Sequence, residues 1–167
     1  MRVPIEIVEL LASPAHRYDG RPADGPDPVP PAERRDRIEL RAGLGVVGDR
    51  FFNAPAHRRA SVTVMAAESL EAVAAELALD AVPGLAQTRR TVLVRGADVD
   101  ALVGQPFAIE QGGATLRLQG HRAANPCAWM DQVIAPGAFR ALRGRGGVRC
   151  EPLDDGALRL GPAMLIV

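Results

Sequence analysis

Residues 37–55 read RIELRAGLGVVGDRFFNAP, and this stretch decides between two fold classes. Residues 37–42 alternate charged and apolar side chains, which predicts a half-buried strand. Residues 43–48 match the G-x-G-x-x-G pattern of dinucleotide-binding folds, in which a helix must begin at the glycine loop and receive the pyrophosphate. The residues that follow have no helical apolar repeat and end in a proline. We therefore interpret the glycines as a turn that presents Asp49 and Arg50 at a strand end.

The rest of the chain is rich in short β-type segments bounded by glycine and proline. Further strands are predicted at residues 4–12, 60–65, 91–94, 107–110, 115–119, 148–153, 157–160 and 163–167. The dipeptide Asp155-Gly156 predicts a hairpin turn between the strands on either side of it.

Helical patterns are few. Apolar residues at helical spacing predict a helix over 66–79, and a helical turn is predicted at 97–102. A second helical region, 128–142, is interrupted by Pro136-Gly137, whereas the prolines and glycines of 13–34 predict a long loop. Many strands with few helices predict one mainly β (α+β) domain over residues 1–167. We expect it to be barrel-like with a few inserted helices, and not a β-α-β sheet.

The charge composition excludes several chemistries. The 20 basic residues balance 20 acidic ones, and every basic residue is arginine. Without lysine the chain has neither a pyridoxal-phosphate Schiff base nor a P-loop lysine. The zero net charge argues against a nucleic-acid partner. Aromatic residues make up only 4%, so Leu, Val, Ile and Ala must fill the core.

The distribution of apolar residues predicts a soluble, cytoplasmic protein with no membrane partner. No uncharged run approaches the roughly 18 residues of a membrane helix. Glu6 and Glu9 interrupt the apolar start, so it does not read as a signal peptide. Two cysteines make neither a disulfide framework nor a zinc spacing, and they are too few for a four-cysteine iron–sulfur cluster.

The segment NPCAWMD, residues 125–131, places one cysteine in a reactive setting. Pro126 fixes the backbone, and Cys127 is expected to open a helix whose dipole favours the thiolate. Such a thiolate serves as nucleophile, persulfide carrier or soft-metal ligand; the alternative is a small buried apolar residue. Cys150 lies in the middle of a predicted strand, where core packing is expected.

Pairs of arginines recur near glycines or strand ends. They are Arg58-Arg59, Arg89-Arg90, and Arg143 with Arg145. A lysine-free protein that binds an anion must use such guanidinium forks or backbone N–H groups, although each pair alone is also typical of surface charge. The stretch 143–147, RGRGG, has no interleaved aromatic residues and is interpreted as an exposed turn.

In their order along the chain, these motifs resemble the molybdenum-cofactor sulfurase C-terminal (MOSC) domain family, and more narrowly its short single-domain members. The matching stretches are 43–50 (GLGVVGDR), 61–64 (SVTV), 89–96 (RRTVLVRG), 98–104 (DVDALVG), 120–127 (GHRAANPC) and 146–147 (GG). The Pro-Cys pair that ends 120–127 is the most characteristic element.

The resemblance implies a barrel-like fold and a molybdopterin-type cofactor whose molybdenum is ligated by Cys127. Relatives such as the mitochondrial amidoxime-reducing components reduce N-hydroxylated compounds, with electrons supplied by a separate protein. By this resemblance we expect a molybdenum-dependent oxidoreductase acting on a small molecule. The residues expected to form the cofactor pocket are Arg50, Arg90, Thr91, Arg122 and Asn125.

Two further residues receive roles in this hypothesis. Asp49 is expected to support the pocket, and His121 is a candidate proton donor because its ordinary pKa is near 6.5.

Two features depart from the family. Thr91 stands where the family has asparagine, so a hydroxyl replaces a side-chain amide. The extra N-terminal β domain of the amidoxime reducers, which contributes part of their cofactor pocket, is not recognisable here. Two other functions stay open: a sulfur carrier with a persulfide on Cys127, and a non-catalytic module that binds a pterin or an anion.

Overall fold

The computed structural model describes all 167 residues and is dominated by β-strands. The ten strands are β1 (Arg2–Leu10), β2 (Arg37–Arg41), β3 (Gly45–Val46), β4 (Val62–Ala66), β5 (Val92–Arg95), β6 (Pro106–Gln111), β7 (Ala114–Ala123), β8 (Val148–Pro152), β9 (Gly156–Arg159) and β10 (Gly161–Ile166). Seven of them close into a barrel in the order β1-β10-β6-β7-β8-β4-β5, and the other three form a small sheet, β3-β2-β9. The predicted α+β fold with a barrel is therefore confirmed.

Four short helices lie outside the barrel. They are α1 (Ala67–Glu76), α2 (Leu85–Thr88), α3 (Trp129–Val133) and α4 (Ala138–Ala141), with 3-10 turns at Pro22–Asp24, Pro55–Ala60 and Asp100–Leu102. Helices α1 and α2 connect β4 to β5, which form the one parallel pair of the barrel. The barrel thus contains a single β-α-β connection among antiparallel pairs. None of the helices has the length and apolar character to cross a membrane.

The barrel interior is filled by aliphatic side chains, as the low aromatic content predicts. Along β4 and β8 the residues that point inward are Val62, Val64, Val148 and Cys150, all buried. Phe107 is the only aromatic residue in this core cluster. A second apolar cluster, which includes Trp129, lies between the outer wall of the barrel and the helices. Since the interior is occupied, a ligand site must lie on the outside of the barrel.

The glycine-rich stretch 43–48 forms a turn, as predicted, and no helix follows it. It contains the two-residue strand β3. Gly45 has φ of 105°, and a Cβ on it would lie 2.7 Å from the Cβ of Ser61. Only glycine therefore allows this close approach, and the chain arrives at Asp49 directly after the turn.

The predicted hairpin at Asp155-Gly156 is wrong. Strand β8 pairs with β4 and β7, whereas β9 leaves the barrel and pairs with β2. The two aspartates of the connection bind other segments: the Asp154 carboxylate accepts from Arg117 at 2.6 Å, and Asp155 Oδ1 accepts from the backbone N–H of Ala42 at 2.9 Å. These contacts turn the chain away from β8 instead of folding it back.

Residues 13–34 form a long loop, with one correction to the prediction that it contains no regular structure. Pro22–Asp24 make a single 3-10 turn, which begins with proline. An isolated bridge between Leu11 and Arg34 closes the loop at its base.

Helix α1 ends earlier than the predicted residue 79. The N–H of Leu79 donates to the carbonyl of Ala74 at 2.9 Å, and that of Ala78 donates to Ala75 at 3.3 Å. This pattern is a Schellman motif, which requires a left-handed residue, and Ala78 has φ of 50°.

Replacing Ala78 by glycine is expected to stabilise the protein. Glycine adopts φ above zero without the Cβ strain that alanine suffers there, so Ala78→Gly should raise the free energy of unfolding by about 1 kcal/mol in urea denaturation. The matched control is Ala72→Gly at an exposed position within α1, which should lower it by a similar ~1 kcal/mol. Destabilisation by both substitutions would contradict the left-handed conformation of Ala78.

Candidate functional site

A cavity of about 300 Å³ lies against the outer face of the barrel and contains most of the predicted site residues. Thr63 and Arg149 reach it because they alternate along β4 and β8 with the inward-pointing residues of the core. The other walls come from the loop 13–34, from residues 49–51, from the segment before β5 and from residues 125–127. The cavity is therefore built by irregular segments laid over one wall of the barrel.

Cys127 lines this cavity and is exposed, but it does not open a helix as predicted. Helix α3 begins two residues later, at Trp129, and has only five residues. The first turn is tightened by a hydrogen bond from the N–H of Met130 to the carbonyl of Cys127 at 3.0 Å. So short a helix has little dipole, and the positive groups near the thiol are guanidinium groups instead.

Cys150 has the packing role predicted for it. Its side chain is fully buried in the barrel, and burial raises the pKa of its thiol. The two cysteines therefore differ in access to solvent, and only Cys127 is placed for chemistry.

Arg90 holds together the segments that surround Cys127. Its Nε donates to the carbonyl of Gly146 at 3.1 Å, and its Nη2 donates to the carbonyls of Ala124 at 2.5 Å and Asn125 at 3.2 Å. No carboxylate pairs with it. Burial, and after it the charge of Arg149, lowers the pKa of Arg90 to about 10.

The glycines of 143–147 are not an exposed turn as a whole, contrary to the prediction. Arg143 and Gly144 are exposed, but Gly146 and Gly147 are buried. A Cβ on Gly146 would lie 2.0 Å from the carbonyl oxygen of Ala124, so the two chain segments cross in direct contact. The buried part of this stretch is a wall of the site, not a surface feature.

Asp49 and Arg50 meet the loop 13–34 at the edge of the cavity. Asp49 Oδ1 accepts from the backbone N–H of Ser13 at 3.1 Å and from Arg50 Nη1 at 3.2 Å, while Oδ2 accepts from Phe51 N–H at 3.1 Å. Burial lowers the pKa of Arg50, and the neighbouring Asp49 opposes that shift. Asp49 therefore orients Arg50 and the start of the loop.

A buried ion pair fastens the end of the same loop. Arg89 Nη1 lies 2.7 Å from Glu33 Oε2, and Arg89 Nη2 donates to the carbonyl of Ala15 at 3.2 Å. The second oxygen of Glu33 and the Nε of Arg89 are buried without a partner. Breaking this pair would leave a buried charge uncompensated, so the loop is held firmly on the site.

Thr91 and Thr63 form a reciprocal pair at the back of the cavity. Each Oγ1 accepts from the backbone N–H of the other residue, at 3.1 and 3.0 Å, and the two oxygens lie 3.2 Å apart. One hydroxyl must donate to the other, so exactly one hydroxyl hydrogen remains for a third group. The pair thus offers one hydroxyl donor to a ligand.

Aromatic residues that the sequence did not single out complete the cavity. Tyr18, from the loop, stacks on Trp129 with ring centroids 5.1 Å apart. The ring of Phe51 lies 4.5 Å from the guanidinium carbon of Arg50 and also contacts His57. No spacing or motif in the sequence indicates that these rings meet.

Five of the seven predicted site residues come together here: Cys127, Arg50, Arg90, Thr91 and Asn125. The other two, His121 and Arg122, line a separate cavity of about 500 Å³ beside Arg58 and Arg59. His121 Nε2 lies 3.3 Å from Glu151 Oε2. Arg149, which we did not predict, is a lining residue that the alternation of β8 would have revealed.

The charge balance of the cavity favours an anionic ligand. Its lining contains the guanidinium groups of Arg50, Arg89, Arg90 and Arg149 but the carboxylate of Asp49 alone. No cluster of three or more His, Cys, Asp or Glu side chains exists that could hold a metal ion. A metal at Cys127 would therefore have to bring most of its own ligands.

Solved structures with the same fold are found at low sequence identity. The YuaD protein from Bacillus subtilis is 17% identical over 99% of this chain and 97% of its own, with a TM-score of 0.75. YiiM from Escherichia coli is 16% identical over 100% of this chain and 70% of its own, with a TM-score of 0.61. A protein described as hypothetical is 15% identical over 100% and 69%, with a TM-score of 0.62.

These neighbours support a MOSC-like fold for the chain. At such identities the likeness shows the fold alone. No protein-family model matches the sequence, and no curated protein matches it significantly.

The two cysteines are expected to differ sharply in reactivity. A thiol reagent such as Ellman's reagent should modify only Cys127 in the folded protein, because Cys150 is buried in the barrel core. The native reaction should disappear in Cys127→Ser and persist in Cys150→Ala, whereas denaturant should expose both thiols of the wild type. A native reaction that survives Cys127→Ser would contradict the placement of Cys150.

The single tyrosine gives a direct test of how the loop is placed. Burial raises the pKa of Tyr18 to about 12, so its absorbance near 295 nm should titrate well above the value in the denatured chain. Since the folded state favours the neutral phenol, Tyr18 stabilises the fold below its unfolded pKa of about 10, and this contribution is lost as the pH rises towards 12. Titration of the folded protein near pH 10 would contradict the stacking of Tyr18 on Trp129.

Proposed function

We propose that this chain is a MOSC-type protein that binds the molybdenum cofactor in the cavity and reduces N-hydroxylated compounds. One observation carries the proposal: the exposed thiol of Cys127 shares a cavity with four guanidinium groups, and two of these, on Arg90 and Arg149, have no carboxylate partner. A soft donor beside uncompensated cations suits a ligand that is both a soft metal centre and an anion.

The residues present fit this cofactor. Cys127 is the one thiol in the cavity, and the cofactor brings its own dithiolene sulfurs, so no further protein ligands are needed. The phosphate of the pterin requires cations, and in a chain without lysine these are guanidinium groups. We assign this role to Arg50 and Arg90, which line the same cavity as Cys127.

When bound, the cofactor supplies a two-electron reduction in which an N-hydroxyl oxygen is abstracted, with electrons returned by a separate donor protein. The chain provides position and charge. Arg90 fixes the backbone of residues 124–125 and hence the approach of Cys127, and Asp49 orients Arg50. The Thr63–Thr91 pair, which lines the cavity, has one hydroxyl hydrogen left to donate to a ligand. His121 remains a predicted proton donor, beside the neighbouring cavity.

A sulfur carrier is the second candidate, and the exposure of Cys127 favours it. A persulfide that is passed to another protein must be reachable from solvent, and Cys127 is exposed. The nearby guanidinium groups would stabilise the anionic persulfide as they would a thiolate.

Metal analysis tests the proposal. Protein expressed in a host that makes the cofactor should contain about one molybdenum per chain in the wild type and in Cys150→Ala, and almost none in Cys127→Ser. The loaded wild type should then convert hydroxylamine substrates to amines with an artificial reductant.

Three results would contradict it, and two of them point to another function. Metal-free protein with a cyanide-labile sulfur on Cys127 would point to the sulfur carrier. Loaded protein that turns over no N-hydroxylated compound would exclude the reductase. If neither metal nor labile sulfur is found, and alkylation of Cys127 changes nothing, the chain is a non-catalytic binding module.

A further inference from the structure

A bulge in strand β7 brings two arginines directly opposite each other. Gly120 pairs with Cys150, but the register then shifts and Arg122 pairs with Arg149. His121 is the extra residue of the bulge, and in a regular register it would itself face Arg149. The bulge therefore replaces a histidine–arginine pair by an arginine–arginine pair on the outer face of the barrel.

Neither arginine of this pair has a carboxylate partner. Like charges directly opposite each other on neighbouring strands are destabilising. Glu151, the acidic residue of the same strand β8, is engaged elsewhere: Arg58 Nε lies 3.1 Å from its Oε1, and His121 Nε2 lies 3.3 Å from its Oε2. Burial of Arg149 and the charge of Arg122 both lower the pKa of Arg149.

The small sheet contains a second pair of opposed arginines, which differs from the first in its acidic partners. Arg37 of β2 pairs with Arg159 of β9, so two arginines again lie opposite each other. There, however, Arg37 Nη1 lies 2.7 Å from the carboxylate of Glu39. One arginine of the small-sheet pair therefore has a carboxylate partner, whereas neither arginine of the pair beside the site has one.

The Arg122–Arg149 pair lies at the junction of the two cavities. Arg149 lines the Cys127 cavity, and Arg122 lines the neighbouring one together with Arg59, which has no ion-pair partner either. A molecule whose reacting group reaches Cys127 can therefore place another group between Arg122 and Arg149.

We propose that Arg122 and Arg149, with Arg59 at the rim, form an anion subsite that binds the carboxylate or phosphate group of the substrate. Two guanidinium forks supply paired N–H donors for the oxygens of such a group. This inference rests on the proposed function for the reaction at Cys127, and it narrows the substrate class to small N-hydroxylated compounds that carry an anionic group. Arg122 then binds substrate and not the cofactor.

The first test measures binding of inorganic phosphate at low ionic strength by isothermal titration, without any turnover. We expect the affinity to fall at least 10-fold in Arg122→Gln and in Arg149→Gln, and to stay unchanged in Arg159→Gln, which removes the same charge from the arginine pair of the small sheet. Equal phosphate affinity in the wild type and Arg122→Gln overturns the subsite, as does a wild type that binds no phosphate at millimolar concentration.

The second test uses loaded protein and three hydroxylamine substrates that bear a carboxylate, a phosphate or no charge. The ratio of kcat/KM for a charged substrate to that for the neutral one should fall about 10-fold in Arg122→Gln and be kept in Arg159→Gln. Comparing the carboxylate with the phosphate identifies the anion that the subsite prefers. An unchanged ratio for both the carboxylate and the phosphate substrate overturns the subsite. A loaded protein that turns over none of the three substrates contradicts the proposed function instead, and the subsite is then tested by the phosphate-binding measurement alone.

Discussion

The arrangement of the site depends on the guanidinium group of Arg90. It lies just before β5 and donates to backbone carbonyls on two other segments, at Gly146 before β8 and at residues 124–125 after β7. Cys127 is two residues further along the second of these segments. Three separate parts of the chain are thus joined by one desolvated cation that carbonyl dipoles bind but do not neutralise. Its positive charge remains available to a ligand in the cavity.

The close contacts around Arg90 need glycine, and this requirement links the motifs to one another. A Cβ on Gly146 would lie 2.0 Å from the oxygen of Ala124, and one on Gly147 would lie 2.1 Å from that of Val64. Gly147 also accepts from the N–H of Ala124 at 2.8 Å. The glycine pair before β8 and residues 124–125 therefore contact each other directly. This contact explains why the motifs that contain them, although distant in sequence, occur in the same chain.

A chain of zero net charge can still hold a strongly positive cavity because its charges are distributed unevenly. Several surface arginines are paired with acidic residues, as in Arg2–Glu110, Arg95–Glu71 and Arg117–Asp154. Two of the four arginines that line the Cys127 cavity, Arg90 and Arg149, have no such partner. A local excess of positive charge directs an anion to the cavity, whereas the overall composition gives only the sum of all charges.

Local patterns predicted most of the strands, because the alternation of apolar and polar side chains and the glycine turns are determined within a few residues. The features that could not be predicted depend on contacts between distant segments. Asp155-Gly156 has the chemistry of a hairpin, but contacts from Arg117 and Ala42 direct the chain elsewhere. For the site, Cys127 and Arg90, which the resemblance assigned to one pocket, line the same cavity, whereas Arg122, which follows the bulge at His121, lines another. Tyr18 carries no sequence signal because its role arises only when the loop meets Trp129.

The loop 13–34 forms a wall of the site and is fixed at both of its ends. The barrel interior is filled, so the ligand site has to be made on the outer wall, and one face of it must be supplied by chain that is not part of the sheet. The buried pair of Glu33 and Arg89 fastens the loop near its end, and Ser13 with Asp49 fastens it at its start. Fixing both ends limits the conformational freedom of the segment between them, which carries Tyr18 into the cavity. The irregular loop is therefore as much a part of the site as the strands that support it.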